Sequence, residues 1–227
     1  MKTMKTTSTL TAVLLVALFA SVSSAQVKFG MDLYSHYVWR GADLSAQSLQ
    51  PSITYTTGGL SVGAWASYST IGTYSENDLW ASYSVGPVSV YFTDYYVPSA
   101  TTAGFFNYAN NGGAHTLEGG LGYTGPAVFP VTVAAYYNLS GDADNSAYIQ
   151  ASYPFTIDTV TSLSVFVGGT PSRSITYYGT TKGTITNFGL TFSKTVKVTE
   201  SFSLPFNASY IINPYTEKSY LVFGISL

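Results

Sequence analysis

The sequence predicts an all-β fold: a transmembrane antiparallel up-and-down β-barrel of about twelve strands. Three observations carry this reading. Beyond the N-terminal region the chain breaks into segments of about ten residues with apolar side chains at every second position, the repeated signature of barrel strands. Charged residues make up only 9% of the chain, while aromatics reach 16% and include 20 Tyr. Ordinary globular proteins carry roughly 25% charged residues. A soluble surface this poor in charge would associate, whereas a surface facing lipid has no need of charge. Finally, the apolar faces often begin or end in Tyr or Trp, as expected of aromatic girdles at two membrane interfaces.

The chain opens MKTMKTTSTLTAVLLVALFASVSSA. Lys2 and Lys5 form a positive head, Leu10 to Ala20 an apolar stretch, and Ser23-Ser24-Ala25 a small-residue site that a signal peptidase accepts. The apolar stretch falls short of the roughly 20 residues a helical membrane span needs. Residues 1–25 are therefore expected to be a cleaved signal peptide, and residues 26–227 a single outer-membrane barrel. Losing Lys2 and Lys5 leaves seven basic residues against eleven acidic ones, a net charge of −4. No basic stripe exists for nucleic acid. The absence of cysteine excludes thiol catalysis, a disulfide scaffold and cysteine-based metal sites.

The first expected strand, 27–39, sends Val27, Phe29, Met31, Leu33, Tyr37 and Trp39 to lipid. The alternation then turns Lys28, Asp32 and His36 inward, with Arg40 following at the rim. Strands at 47–57, 60–69, 76–85 and 88–97 follow. In the third and fourth, Val62, Ala64 and Leu79 oppose Trp65, Asp78 and Trp80. Asp94 is the awkward member of the fifth, because alternation from Val88, Val90 and Phe92 points it at lipid; a bulge or an early exit from the membrane would resolve this. Strands at 115–124, 130–139, 146–155, 161–169, 184–194, 199–211 and 219–227 complete the count. The last closes on an alternating apolar face, Leu221, Phe223, Ile225 and Leu227.

The connections supply a parity test. Alternate turns should be short, and Gly58-Gly59, Gly86-Pro87, Gly125 to Phe129, Thr156 to Val160 and Thr195 to Val198 are. The two longest connections, Pro98 to Ala114 and Pro171 to Gly183, then fall together at the opposite end.

The lumen and selectivity candidates are Lys28, Asp32, His36, Arg40, Trp65, Glu76, Asp78, Trp80 and Glu118. Along the first strand a spacing of four places successive charges ~13 Å apart, at ~3.4 Å per residue. That is too far for a triad and suits either a charge ladder seen by a passing solute or pairing across the barrel that plugs it. The acidic members outnumber the basic ones, a lean towards cations. Trp65 and Trp80, with Tyr34, Tyr91, Tyr136 and Tyr148, either form an aromatic slide for ring-bearing solutes or simply narrow the bore. Tyr177-Tyr178 and Phe105-Phe106 in the long loops are candidates for folding inward as a constriction, or for contacting lipopolysaccharide or another partner. His36 and His115, the two histidines, lack the neighbours that acyl transfer requires. The GDADN segment, 141–145, lacks the length and glutamate of an EF-hand loop. The chain is thus not expected to be an enzyme, and no metal or cofactor is implied.

The string DLYSHYVWRGADLSAQSLQPSITY, then GLSVGAWASYS and ENDLWASYSVGPVSVYFTDYYVP, resembles the TorF-like (Gcw_chp) family of bacterial porins. Tyr37, Val38, Trp39, Arg40, Gly41 and Leu44 match its first element, and Gln50, Pro51, Ser52, Ile53 and Tyr55 its second. Gly63, Trp65 and Ser67 match its third, Glu76 and Asp78 its fourth. The resemblance covers residues 32–97 and implies an outer-membrane porin-like barrel without naming a substrate. The expected function is passive diffusion of small polar solutes or ions, the alternative a non-conducting barrel with a structural, adhesive or surface-binding role. Outer-membrane lipid and lipopolysaccharide are the expected partners; the sequence leaves the oligomeric state open.

Overall fold

The computed structural model describes residues 25–72, 74–101, 104–110 and 112–227. The expected signal peptide lies outside them but for Ala25. Among the described residues fourteen strands form: β1 (Gln26–Tyr34), β2 (Tyr37–Trp39), β3 (Ala42–Ser45), β4 (Ser48–Thr57), β5 (Leu60–Ser69), β6 (Ser75–Val85) and β7 (Val88–Tyr96), then β8 (His115–Thr124), β9 (Thr132–Ser140), β10 (Ala147–Thr156), β11 (Thr161–Thr170), β12 (Thr184–Lys197), β13 (Ser203–Asn213) and β14 (Lys218–Ser226). Twelve of them close into an antiparallel barrel in the order β1-β14-β13-β12-β11-β10-β9-β8-β7-β6-β5-β4, while β2 and β3 pair only with each other.

Closure follows from β1 pairing on both edges. Gln26 to Tyr34 run against Thr56 to Ser48 of β4, and Asp32 to Tyr34 against Ser226 to Gly224 of β14. Reciprocal backbone bonds between Met31 and Leu227, 2.9 and 3.2 Å, extend that seam. A closed ladder leaves no open edge for lipid to contact.

Alternation sorts the side chains as expected. Phe29 is 73% exposed, Leu121 60% and Phe223 56%, all on the outside, whereas Ser67, Asn138 and Tyr148 are at most 1% exposed inside. Several inward rings lie over glycines of the adjacent strand. A Cβ on Gly224 would come 2.1 Å from the Tyr34 ring, one on Gly120 2.6 Å from Tyr136, and one on Gly63 2.7 Å from Trp80. Glycine at these positions lets each ring lie along the wall instead of standing across it.

The long connections 97–114 and 171–183 share one end, the loop end, and the turns at 58–59 and 86–87 occupy the other. Among the later strands the largest boundary shifts are that β12 runs on to Lys197 and β13 starts at Ser203 instead of 199.

The larger correction concerns the first expected strand. The wall strand stops at Tyr34, and the chain leaves the wall to form the β2–β3 hairpin, which turns on Arg40 and Gly41. Both have positive φ, 49° and 85°, the signature of a type I′ turn. Tyr37 and Trp39 therefore do not face lipid. Tyr37 is buried against Trp65 and Tyr74, with ring centroids 5.5 and 6.0 Å away. Trp39 packs among Tyr95, Tyr177 and Tyr178. Strand alternation could not reveal the departure, because an inward hairpin has the same period of two.

Asp94 does face outward, as alternation has it, and shares its side of the sheet with its cross-strand partner Leu79. The register with both neighbouring strands runs through Asp94 without a bulge. The segment 104–108 folds over it from outside: the Tyr108 hydroxyl donates to Asp94 at 2.8 Å, and His115 Nδ1 lies 2.7 Å from the same carboxyl.

Candidate functional site

The hairpin carries Arg40 across the lumen. In a ring of twelve strands β9 lies directly opposite β1, and Arg40 reaches that far wall. Its guanidinium donates to Glu118 of β8 through both terminal nitrogens, at 2.6 and 2.8 Å, in the bidentate geometry that makes Arg–carboxylate pairs strong. It also donates to the Tyr178 hydroxyl at 2.6 Å, and the Tyr95 hydroxyl donates to Glu118 at 2.9 Å. The guanidinium carbon sits 4.3 Å from the ring centroids of Trp39 and Tyr136 and 4.6 Å from that of Tyr148, three cation–π contacts at once.

The turn itself is anchored to two further strands. Asn213 Nδ2 donates to the Gly41 carbonyl at 3.1 Å, and Thr186 Oγ1 to the Arg40 carbonyl at 3.3 Å. Only glycine fits at position 41, since a Cβ there would meet the Thr186 carbonyl oxygen at 1.8 Å.

The long loop 171–183 completes the constriction. Tyr178 stacks on Trp39, with centroids 5.9 Å apart and planes inclined by 11°, and Tyr177 meets Trp39 edge-on at 5.7 Å. Residues of the neighbouring 141–146 loop brace it. Asp144 accepts from the Thr176 backbone at 2.8 Å and from Arg173 at 3.2 Å, and the Ser146 and Ser174 hydroxyls hydrogen-bond at 2.5 Å. The Thr176 N–H, with help from Arg173, holds the Asp144 carboxyl below the ordinary carboxylate range. Burial pushes Asp142 up, but hydrogen bonds from Ser146, Asn138 and Asp144 outweigh it and leave that carboxyl low as well. The GDADN segment thus serves as a brace for the neighbouring loop.

On the other side of the constriction lies a lumen cavity of about 740 Å³, lined by Trp80, Tyr91, Phe166, Gln150 and Asn187 among others. Asn187 Nδ2 donates to the Tyr148 hydroxyl and to Gln150 Oε1, at 3.1 and 3.0 Å, while its Oδ1 has no partner among the described residues.

The nine candidates separate accordingly. Arg40 and Glu118 meet. Trp65 backs Tyr37 behind the hairpin, and Trp80 lines the cavity. Glu76 and Asp78 are buried one after the other on β6, with Tyr74 donating to Glu76 at 2.8 Å. His36 leaves the wall with the hairpin and lies 3.3 Å from Asp43 in a half-exposed pair. Lys28 stays exposed towards the short-turn end, and Asp32 lies two residues before the loop end of β1. The charges form no ladder up one wall, because the chain bends away after Tyr34. Sequence reasoning missed Tyr95, Thr186, Asn187 and Asn213. Inward parity marks Tyr95 and Asn187, whereas Thr186 falls on the outward parity and Asn213 lies beyond the expected end of its strand. Of the two aromatic loop pairs, Tyr177-Tyr178 fold inward and Phe105-Phe106 stay outside, where Phe105 packs on His115.

No family model matches the chain, so its resemblance to the TorF-like porins is not confirmed by one, and no curated protein matches it. Among solved structures a KdgM porin is similar in fold, with a TM-score of 0.50 at 8% identity over 89% of this chain and 98% of that chain. At that identity the likeness is one of architecture: the chain folds as a closed β-barrel of the kind that porin has.

Proposed function

We propose that the protein is a porin-like channel of the bacterial outer membrane that passes small polar solutes or ions by diffusion. The observation that carries this reading is the polar and aromatic lumen cavity inside a closed barrel whose outer face is apolar. The fold likeness to a porin supports it. The Arg40 hairpin and the inward loop would set the size limit, while Glu76 and Asp78 are buried and lie outside the cavity lining. Outer-membrane lipid and lipopolysaccharide would surround the apolar belt. A channel suits the residues better than an enzyme does, because His115 has its ring nitrogens engaged by Asp94 and the Phe105 carbonyl.

A second reading, a non-conducting barrel, is favoured by one observation: Arg40 spans the lumen to the far wall. Single-channel recording in planar bilayers separates the two. A refolded barrel that inserts and never opens sinks the channel. If it conducts, neutralising Glu76 and Asp78 together tests the cation preference expected from the sequence, and an unchanged reversal potential would count against a lumen role for the pair.

A further inference from the structure

The cavity beneath the hairpin holds more directed chemistry than sieving needs. At about 740 Å³ it falls within the ~300–1,000 Å³ typical of small-ligand sites. Trp80, Tyr91 and Phe166 line it, and each leans over a glycine of the neighbouring strand, Gly63, Gly122 and Gly189 respectively. These rings therefore lie along the wall and offer flat apolar surface to a solute. Between them stand directional polar groups: the amides of Gln150 and Asn187 and the hydroxyls of Ser82, Thr132 and Thr191.

The charge pattern is equally specific. Arg40 is the one residue among the described lining that is charged at neutral pH, and Glu118 and Tyr178 already engage its guanidinium. An ion entering the cavity would lose hydration and find no free counter-charge. A ring with apolar C–H faces and hydroxyl edges would lose little and find partners for both.

We infer that this cavity is a binding subsite for neutral ring-shaped polyols, mono- or disaccharides. The inference deepens the channel reading and rests on it for the solute's route through the barrel. If the aromatics merely fill space, no saturable binding should occur.

Equilibrium dialysis of the detergent-refolded protein with radiolabelled maltose, and with glucuronate as an acidic sugar, tests the assignment. Heat-dependent gel mobility establishes that each barrel is folded. Saturable maltose binding is expected, insensitive to added salt and at least tenfold tighter than glucuronate binding. Asn187→Leu and Trp80→Leu should each weaken it by about tenfold or more, the scale of one lost pocket contact, and the outward-facing variant Leu121→Ala should leave it unchanged. If Trp80→Leu does not fold, Asn187→Leu still decides. A folded wild-type barrel that takes up no maltose, binds glucuronate as tightly, or keeps wild-type affinity in the folded variants would overturn the subsite. Conductance is read separately. A barrel that conducts yet binds no maltose overturns the subsite alone, and one that binds maltose yet never conducts overturns the channel alone.

Discussion

Arg40 and Glu118, 78 residues apart in the chain, meet through two hydrogen bonds of 2.6 and 2.8 Å on the wall facing the strand from which the Arg40 hairpin departs. Their side chains are only 10% and 3% exposed. Removing one partner of such a buried pair leaves the other charge stranded, at a cost of ~3–5 kcal/mol. Arg40→Ala and Glu118→Ala should therefore each undock the hairpin and raise single-channel conductance. The double variant should be closer to either single one than to their sum. Unchanged conductance in all three would show that the pair does not limit the pore.

Gly41 offers a way to move the hairpin without touching a charge. Its φ of 85° and the 1.8 Å approach of a Cβ to the Thr186 carbonyl exclude any other residue from this turn. Gly41→Ala should loosen the hairpin by ~1–3 kcal/mol of backbone strain and reproduce the conductance of Arg40→Ala. Conductance matching the wild type would place the constriction elsewhere.

The brace between 141–146 and 171–183 should be sensitive to acid. Asp142 and Asp144 both have pKa values lowered in the folded protein. Their contribution is thus complete above the unfolded carboxylate value of ~3.9 and disappears as pH falls through the lower folded values. Protease cleavage in the 171–183 loop should accelerate below that point. In Asp142→Asn/Asp144→Asn, cleavage should be fast already at neutral pH and flat through the acid range.

The outer face should reject charge in a depth-dependent way. Leu121 lies mid-strand on β8 and is 60% exposed. Leu121→Arg should lower folding stability in lipid by ~2–4 kcal/mol if that position faces the bilayer midplane. Ser82→Arg, inside the cavity, should cost less folding stability in lipid but alter conductance. Equal stability losses at both sites would contradict the assignment of the two faces.

How far the fold can be read from the sequence depends on where period two is unambiguous. Val88, Val90 and Phe92, or Leu221 and Phe223, place their strands and faces because each stretch stays in the wall from end to end. Tyr37 and Trp39 continue the same period after the chain has left the wall beyond Ser35, whose N–H still bonds to Phe223 of β14, so their inward turn is hidden in the pattern. The one local clue is Arg40-Gly41, a weaker type I′ signal than Asn-Gly. Asp94 was legible as outward, but the cover provided by Tyr108 was not, since it depends on how a long loop folds back. Glu118 was legible as a lumen residue, yet its partner could only come from the three-dimensional ring.

The glycines beneath the lumen rings have a consequence for how the pore's aperture could change. Where Tyr136 rests over Gly120, the ring's tilt is decided by its neighbour's lack of a side chain. A single methyl on that neighbour would swing the ring out into the passage while leaving the ring itself, the strand count and the belt untouched. The diameter available to a solute is thus encoded one strand away from the residues that line it, and it could be tuned in small steps by exchanging glycine and alanine.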